Sequence, residues 1–307
     1  MKLLPVLLAV VLSLLASPSR AACAADAQVR LQVLGSGGPE LDDGRASSGY
    51  LVWRGNKAVV MVDAGSGTAL NFEKSGARLP DLQAVVFTHF HVDHSVDFPS
   101  LVKASYFTAR DTDLLVYGPT GNALLPAATQ FVKKLLGENG AYPYLHSYLA
   151  PDEPEDYKIR VTDVPLQPRR IYRYTPAPGL QLAATPVQHG PLPALAWRVD
   201  IDGCSLTFSG DMNNHYATVA RLARGSNLLV ANNAIPESAS GPARFLHMPP
   251  SEIGKIALEA KVEKLVLSHR MRRTLGREGE TTQQIRRYFS GPLDFADDLD
   301  LFTLGVQ

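Results

Sequence analysis

The sequence predicts an α/β fold in which two similar halves form a single domain. Three observations predict it. Short β-rich runs come first, helical stretches follow, and the same order recurs later in the chain. No low-complexity linker separates the halves. The 307 residues are 45% apolar and 20% charged, enough to bury a large core without disulfides. That composition excludes disordered and collagen-like classes.

Residues 1–24 stand apart from the fold. Met1-Lys2 is a short basic start, Leu3 to Ala16 is a 14-residue apolar run, and small residues follow. This is the layout of a secretory signal peptide, too short to span a bilayer well. Cleavage is expected between residues 21 and 27, after Ala21, Ala24 or Ala27. The mature protein, residues 28–307, is then secreted, in a periplasm, with no transmembrane anchor. A cut after Ala24 removes Cys23 and leaves Cys204 alone, so no internal disulfide is expected, and Cys204 reads as a small buried hydrophobe. Lys+Arg and Asp+Glu are 30 each; losing Lys2 and Arg20 leaves a slightly acidic chain. That balance argues against a nucleic-acid partner.

The elements follow in order. Val29–Leu34, Tyr50–Trp53, Ala58–Val62 and Ala84–Phe87 are strand-like runs at hairpin spacing. Phe98–Arg110 and Gly121–Leu136 read as helices by length and apolar period. Tyr142–Pro165, rich in Pro, Tyr and acids, reads as a loop. It is either a lid over the site or a surface loop with its own aromatic cluster. Strands recur at Gln181–Val187, Ala196–Ile201, Ser205–Phe208, Leu228–Val230 and Lys264–Leu267. Helices are expected at Tyr216–Arg224, Pro250–Ala260 and Glu280–Tyr288; Pro249-Pro250 suits a helix start.

The chemistry concentrates in Thr88-His89-Phe90-His91-Val92-Asp93-His94, directly after an apolar run. Three of the chain's 8 histidines lie here with one carboxylate. A strand ending in a tight turn aims His89 and His91 the same way. Asp93 and His94 then sit on the turn and face a second centre. Imidazole and carboxylate are ligands for zinc and similar divalent metals. His189, Asp211 and His269 each follow a strand-like run, where open α/β sites are built. His146 and His215 read as surface positions, and Trp53 and Trp197 as core.

The His-x-His-x-Asp-His element, with the later His189, Gly210-Asp211 and Ser268-His269, resembles the metallo-β-lactamase-fold superfamily of metallohydrolases. The resemblance runs from Leu34-Gly35-Ser36-Gly37-Gly38-Pro39 to Ser268-His269-Arg270. It implies an α/β four-layer αββα sandwich with metals at one edge. It implies two Zn2+ ions, with Mn2+ or Fe as substitutes. One is held by His89, His91 and His189, the other by Asp93, His94 and His269, and Asp211 bridges them. Asp63, in Val62-Asp63-Ala64-Gly65, matches the family's early Asp and orients a ligand from behind. Two cations sharing a water lower its pKa towards 7. The resulting hydroxide attacks an ester, and Asp93 also accepts a proton.

Within the superfamily, His94-Ser95, Ser268-His269-Arg270 and Phe245-Leu246-His247-Met248 are similar to the tRNase Z and arylsulfatase-like branch. The resemblance gives His247 the role of assisting the leaving group. Three features depart from tRNase Z. Only 22 residues separate His189 from Asp211, enough for a hairpin and no tRNA-gripping arm. Ala231-Asn232-Asn233 replaces an expected acidic residue, and the leader sends the protein away from tRNA. Arg270, Arg272 and Arg273 follow the last ligand and are candidates to grip the substrate's anionic group. The expected activity is therefore hydrolysis of a small anionic ester, a sulfate ester or a phosphodiester. The alternatives are tRNase Z-type endoribonuclease activity and non-catalytic metal binding.

Overall fold

The computed structural model describes residues 23–24 and 28–305; residues 1–22 of the expected leader lie outside them. The first half supplies strands β1 (Val29–Gly35), β2 (Gly49–Arg54), β3 (Lys57–Ala64), β4 (Ala84–Val86), β5 (Leu114–Pro119) and β6 (Ile159–Val164). Its helices are α1 (Thr68–Lys74), α2 (Val92–Ser95), α3 (Phe98–Ser105) and α4 (Ala128–Leu136). The second half supplies β7 (Tyr172–Ala177), β8 (Leu180–His189), β9 (Leu192–Ile201), β10 (Cys204–Phe208), β11 (Leu228–Asn232), β12 (Lys264–Ser268) and β13 (Leu293–Phe295). With it come α5 (Val219–Leu222), α6 (Pro242–Leu246), α7 (Pro250–Ala260) and α8 (Glu278–Ile285). A last strand, β14 (Leu301–Thr303), returns to the first sheet.

The two sheets have the orders β14-β1-β2-β3-β4-β5-β6 and β13-β12-β11-β10-β9-β8-β7. In each, antiparallel strands lead into parallel ones: β3 to β6 in the first sheet and β10 to β13 in the second. Strand period 2 divides the apolar residues between two cores. On β2, Tyr50 and Val52 join the core between the sheets, and Leu51 and Trp53 join the core under the helices of the first half. On β9, Leu195, Trp197 and Val199 join the inter-sheet core, and Ala194 and Ala196 pack under α5 and α7. The result is the sandwich of two mixed sheets between helical layers.

The structure differs from the sequence expectation in several places. The helix expected from Gly121 starts at Ala128, because Pro126 disfavours helical backbone just before it. The helix from Phe98 ends at Ser105. Tyr142–Pro165 is not a lid. It contains a 3-10 turn, Pro143–Tyr148, and strand β6. Tyr148 and Tyr157 are buried in the helix-layer core of the first half. Tyr157 is bonded there to Ser105 on α3 and lies under the Arg110 guanidinium, 4.9 Å from the ring centre. Finally, Cys23 and Cys204 form a disulfide across 181 positions of sequence. Cys204 is buried, as expected, but it is not alone: the segment at Cys23-Ala24 runs back past Gly305 to reach β10.

Candidate metal centre

Every strand that delivers a ligand points its C-terminal end to one edge of the sandwich. β4 leads into His89 and His91, and α2 turns immediately to place Asp93 and His94. Beside them, β8 ends at His189, β10 is followed by Asp211, and β12 by His269. Two clusters result: His89, His91, His189 and Asp211, and Asp93, His94 and His269. Within each, one ligand atom per residue lies within 4.8 Å of all the others.

Asp211 belongs to both clusters by distance. Its Oδ2 is 4.0 Å from His89 Nε2, 3.7 Å from His189 Nε2 and 3.7 Å from His94 Nε2. Its Oδ1 is 3.2 Å from His269 Nε2. Asp93 Oδ2 lies 3.5 Å from His94 Nε2 and 3.3 Å from His269 Nε2. The Nε2 atom of His89 is buried without a hydrogen-bond partner. Buried imidazole nitrogens are expensive to leave unpaired. A donor set of five imidazoles and two carboxylates converging this way fits two divalent cations.

The ligands are held from behind. Asp63, at φ 58°, accepts the Thr88 N–H and the Thr88 hydroxyl, each at 2.7 Å, and pairs with His94 Nδ1 at 2.8 Å. The Thr88 hydroxyl also lies 3.0 Å from His89 Nδ1. His189 Nδ1 sits 2.9 Å from the Leu246 carbonyl, and Asn232 donates to Asp211 Oδ1 at 2.7 Å. Such contacts fix the ring orientation and raise ligand basicity. Tyr50 donates to the Ser268 hydroxyl at 2.9 Å, joining the two sheets one residue before His269. Thr88, Asn232 and Tyr50 have no role in the sequence reading. Thr88 carried a local signal there, its position directly before the first ligand, and Asn232 was noted only as part of a departure from the family pattern.

Electrostatics follow from burial and from the two carboxylates. Burial opposes charge on every ring, and it leaves the pKa of His89 well below the usual histidine range. For His94 and His269 burial is outweighed. Asp93 and Asp63 raise His94 well above that range, and Asp211 and Asp93 push His269 up to about 9. Asp93 is buried, yet His94 and His269 hold it down at about 2.

His247, at the end of α6, stands at the rim. Its Nδ1 is 3.9 Å from Asp211 Oδ2, and its ring centre is 5.2 Å from that of His189. Burial pushes its pKa down to about 4. Of the three arginines expected to grip an anion, Arg270 is buried, and Arg272 and Arg273 are exposed. Arg270 is paired with Glu278 and packed on Phe295. Arg272 is paired with Asp42, and Arg273 donates to the Ala234 carbonyl at 2.6 Å. All three tie the segment after His269 to neighbouring loops. His146 and His215 lie outside the ligand clusters.

Known proteins with this architecture can now be compared. The chain is 28% identical over 283 residues to a ribonuclease Z of Mycolicibacterium paratuberculosis, covering 88% of this chain and 96% of that one. Among solved structures it is similar to the metallo-beta-lactamase fold protein YhfI from Bacillus subtilis, with a TM-score of 0.68, 22% identity and coverage of 90% and 99%. It is also similar to human tRNase Z, short form, with a TM-score of 0.70, 16% identity and coverage of 90% and 100%. The family model described as beta-lactamase superfamily domain matches residues 59–270, which is more than half of the chain and spans all seven ligands. On that match and this fold, the chain belongs to the beta-lactamase superfamily of metal-dependent hydrolases.

Proposed function

We propose that the protein is an exported, zinc-dependent phosphodiesterase of the ribonuclease Z type, acting on RNA or a nucleotide diester. The observation that carries the reading is His247 set 3.9 Å from Asp211 at the rim of a complete ligand cluster. The curated relatives named ribonuclease Z support it over nearly their whole length. They move the weight from the broad class of small anionic esters to phosphodiesters.

His89, His91, Asp93, His94, His189, Asp211 and His269 would hold the metals, which would supply Lewis-acid charge. The protein's own groups do the rest. Asp63 and the Leu246 carbonyl fix the rings of His94 and His189. Asp93 is buried and held ionised by His94 and His269, which suits it to bind a cation and makes it a weak proton acceptor. Burial keeps His247 neutral near pH 7. A bound phosphodiester's negative charge acts against that burial effect and favours the protonated ring. His247 then delivers its proton to the departing oxygen.

One observation favours a smaller substrate. Between His189 and Asp211 the chain forms only the bare β8–β9–β10 antiparallel meander, with no projecting arm. The Cys23–Cys204 disulfide favours export, since disulfides persist in oxidising compartments. Zinc-loaded protein tested on 3′-extended precursor tRNA, bis-nitrophenyl phosphate, cyclic nucleotides and nitrophenyl sulfate separates these outcomes. The proposal expects diester turnover and RNA cleavage. Turnover of the sulfate, or of carboxylic esters or β-lactams, without diester hydrolysis would overturn it.

A further inference from the structure

Beside the metal ligands opens a groove of about 710 Å³, lined by Gln188, Asn213, His215, Gly241, Arg244 and Phe245 among others. None of the metal ligands lines it, but its residues neighbour them in the chain, and the Leu246 carbonyl next to Phe245 holds His189. Gln188 precedes His189, Asn213 lies two positions after Asp211, and Phe245 lies two before His247. From these contacts we infer that this groove is a nucleoside subsite, with Phe245 as the stacking platform for a base next to the scissile phosphate. The inference rests on the phosphodiesterase reading and names the part of the substrate it recognises.

Phe245 is 51% exposed, unusual for so large an apolar ring on a short helix. It is nevertheless held in place. Its backbone carbonyl accepts from the Asn213 side-chain amide at 2.5 Å, and that amide also donates to Gln188 Oε1 at 3.1 Å. One ring edge lies over Gly190, where an added Cβ would come within 3.2 Å of it. Gly190 has φ 58°, so the turn and the close approach both require glycine. The neighbouring Arg244 side chain is exposed and has no ion-pair partner among the described residues. An anchored aromatic face, side-chain amides and an unpaired guanidinium are the elements that bind single-stranded nucleotides. A sulfate or phosphate ester without a base would use none of the aromatic face.

Calorimetric binding of AMP and of ribose 5-phosphate to the zinc-loaded protein tests this without turnover. The two ligands share a phosphate and a sugar and differ in the base. AMP is expected to bind about tenfold tighter. Phe245→Ala should abolish that difference, and Phe245→Trp should keep it, with zinc content and circular dichroism unchanged in both variants. Equal affinity for the two ligands, no AMP binding up to millimolar concentration, or an unchanged AMP preference in Phe245→Ala would overturn the inference. Hydrolysis of bis-nitrophenyl phosphate by the unmodified protein reports separately on the phosphodiesterase reading.

Discussion

At the scale of single residues, His247 divides binding from proton transfer. A poor leaving group needs a proton as its bond breaks, and nitrophenolate needs far less help. His247→Ala should therefore keep its metals and slow ribosyl or alkyl diesters by roughly 10²–10⁴-fold, with a much smaller loss on nitrophenyl diesters. Steady-state rates on both substrate types check this; equal losses would make His247 a binding residue. A second expectation concerns protons on the ligands. In the metal-free protein Asp211 and Asp93 hold His269 protonated up to about pH 9, and His94 is shifted the same way. A coordinating ring must be neutral, so metal must displace these protons. Affinity should rise with pH between 7 and 8.5, by about tenfold per pH unit for each proton displaced. Chelator competition across that range measures it, and a flat profile would show that the rings are already neutral.

At the scale of elements, the site depends on close backbone approach. A Cβ on Gly65, just after β3, would lie 2.1 Å from the Asp93 carbonyl oxygen. Gly65→Ala must push α2 away from β3, and with it Asp93 and His94. Overpacking of this kind costs about 1–3 kcal/mol. Thermal unfolding should show that loss together with weakened metal binding; a variant with normal stability and metal content would place the two segments further apart. The same elements show what the sequence could reveal. The ligands at 89–94 were legible because they are contiguous and follow a strand. His189, Asp211 and His269 were legible because each closes an apolar run. The strands β5, β6 and β7 escaped notice because their identity depends on partners far away in sequence, not on local alternation. The lid reading of 142–165 failed for the same reason: burial of Tyr148 and Tyr157 under α3 is a tertiary fact. So is the pairing of Arg270 with Glu278, which uses the charge the sequence seemed to offer to substrate.

At the scale of the whole molecule, two halves of like topology each bring ligands to one shared edge. Their junction is fastened in two places, by Tyr50 to Ser268 near the site and by the N-terminal segment through Cys23 and Cys204. The disulfide closes a loop of most of the chain, and removing such a bond from a native fold costs about 2–5 kcal/mol. Cys204→Ser should lower the melting temperature without changing metal stoichiometry. The mature protein should retain Cys23, which places any cleavage upstream of it, after Ala21 among the expected sites. Mass spectrometry under non-reducing conditions reads both the cut and the bond; a mature chain starting after Ala24 would exclude this disulfide.

The central claim is that Asp211 and the six residues converging on it form a centre whose metals drive phosphodiester hydrolysis. Its most direct test is stepwise addition of zinc to metal-free protein, with bis-nitrophenyl phosphate turnover followed at each step, for the native chain and for Asp211→Ala. The account predicts no turnover without metal and a rise that saturates at two equivalents. In Asp211→Ala it predicts loss by orders of magnitude, with both metals loosened. Full diester turnover in excess chelator, or a near-normal rate with two tightly held metals in Asp211→Ala, would contradict it.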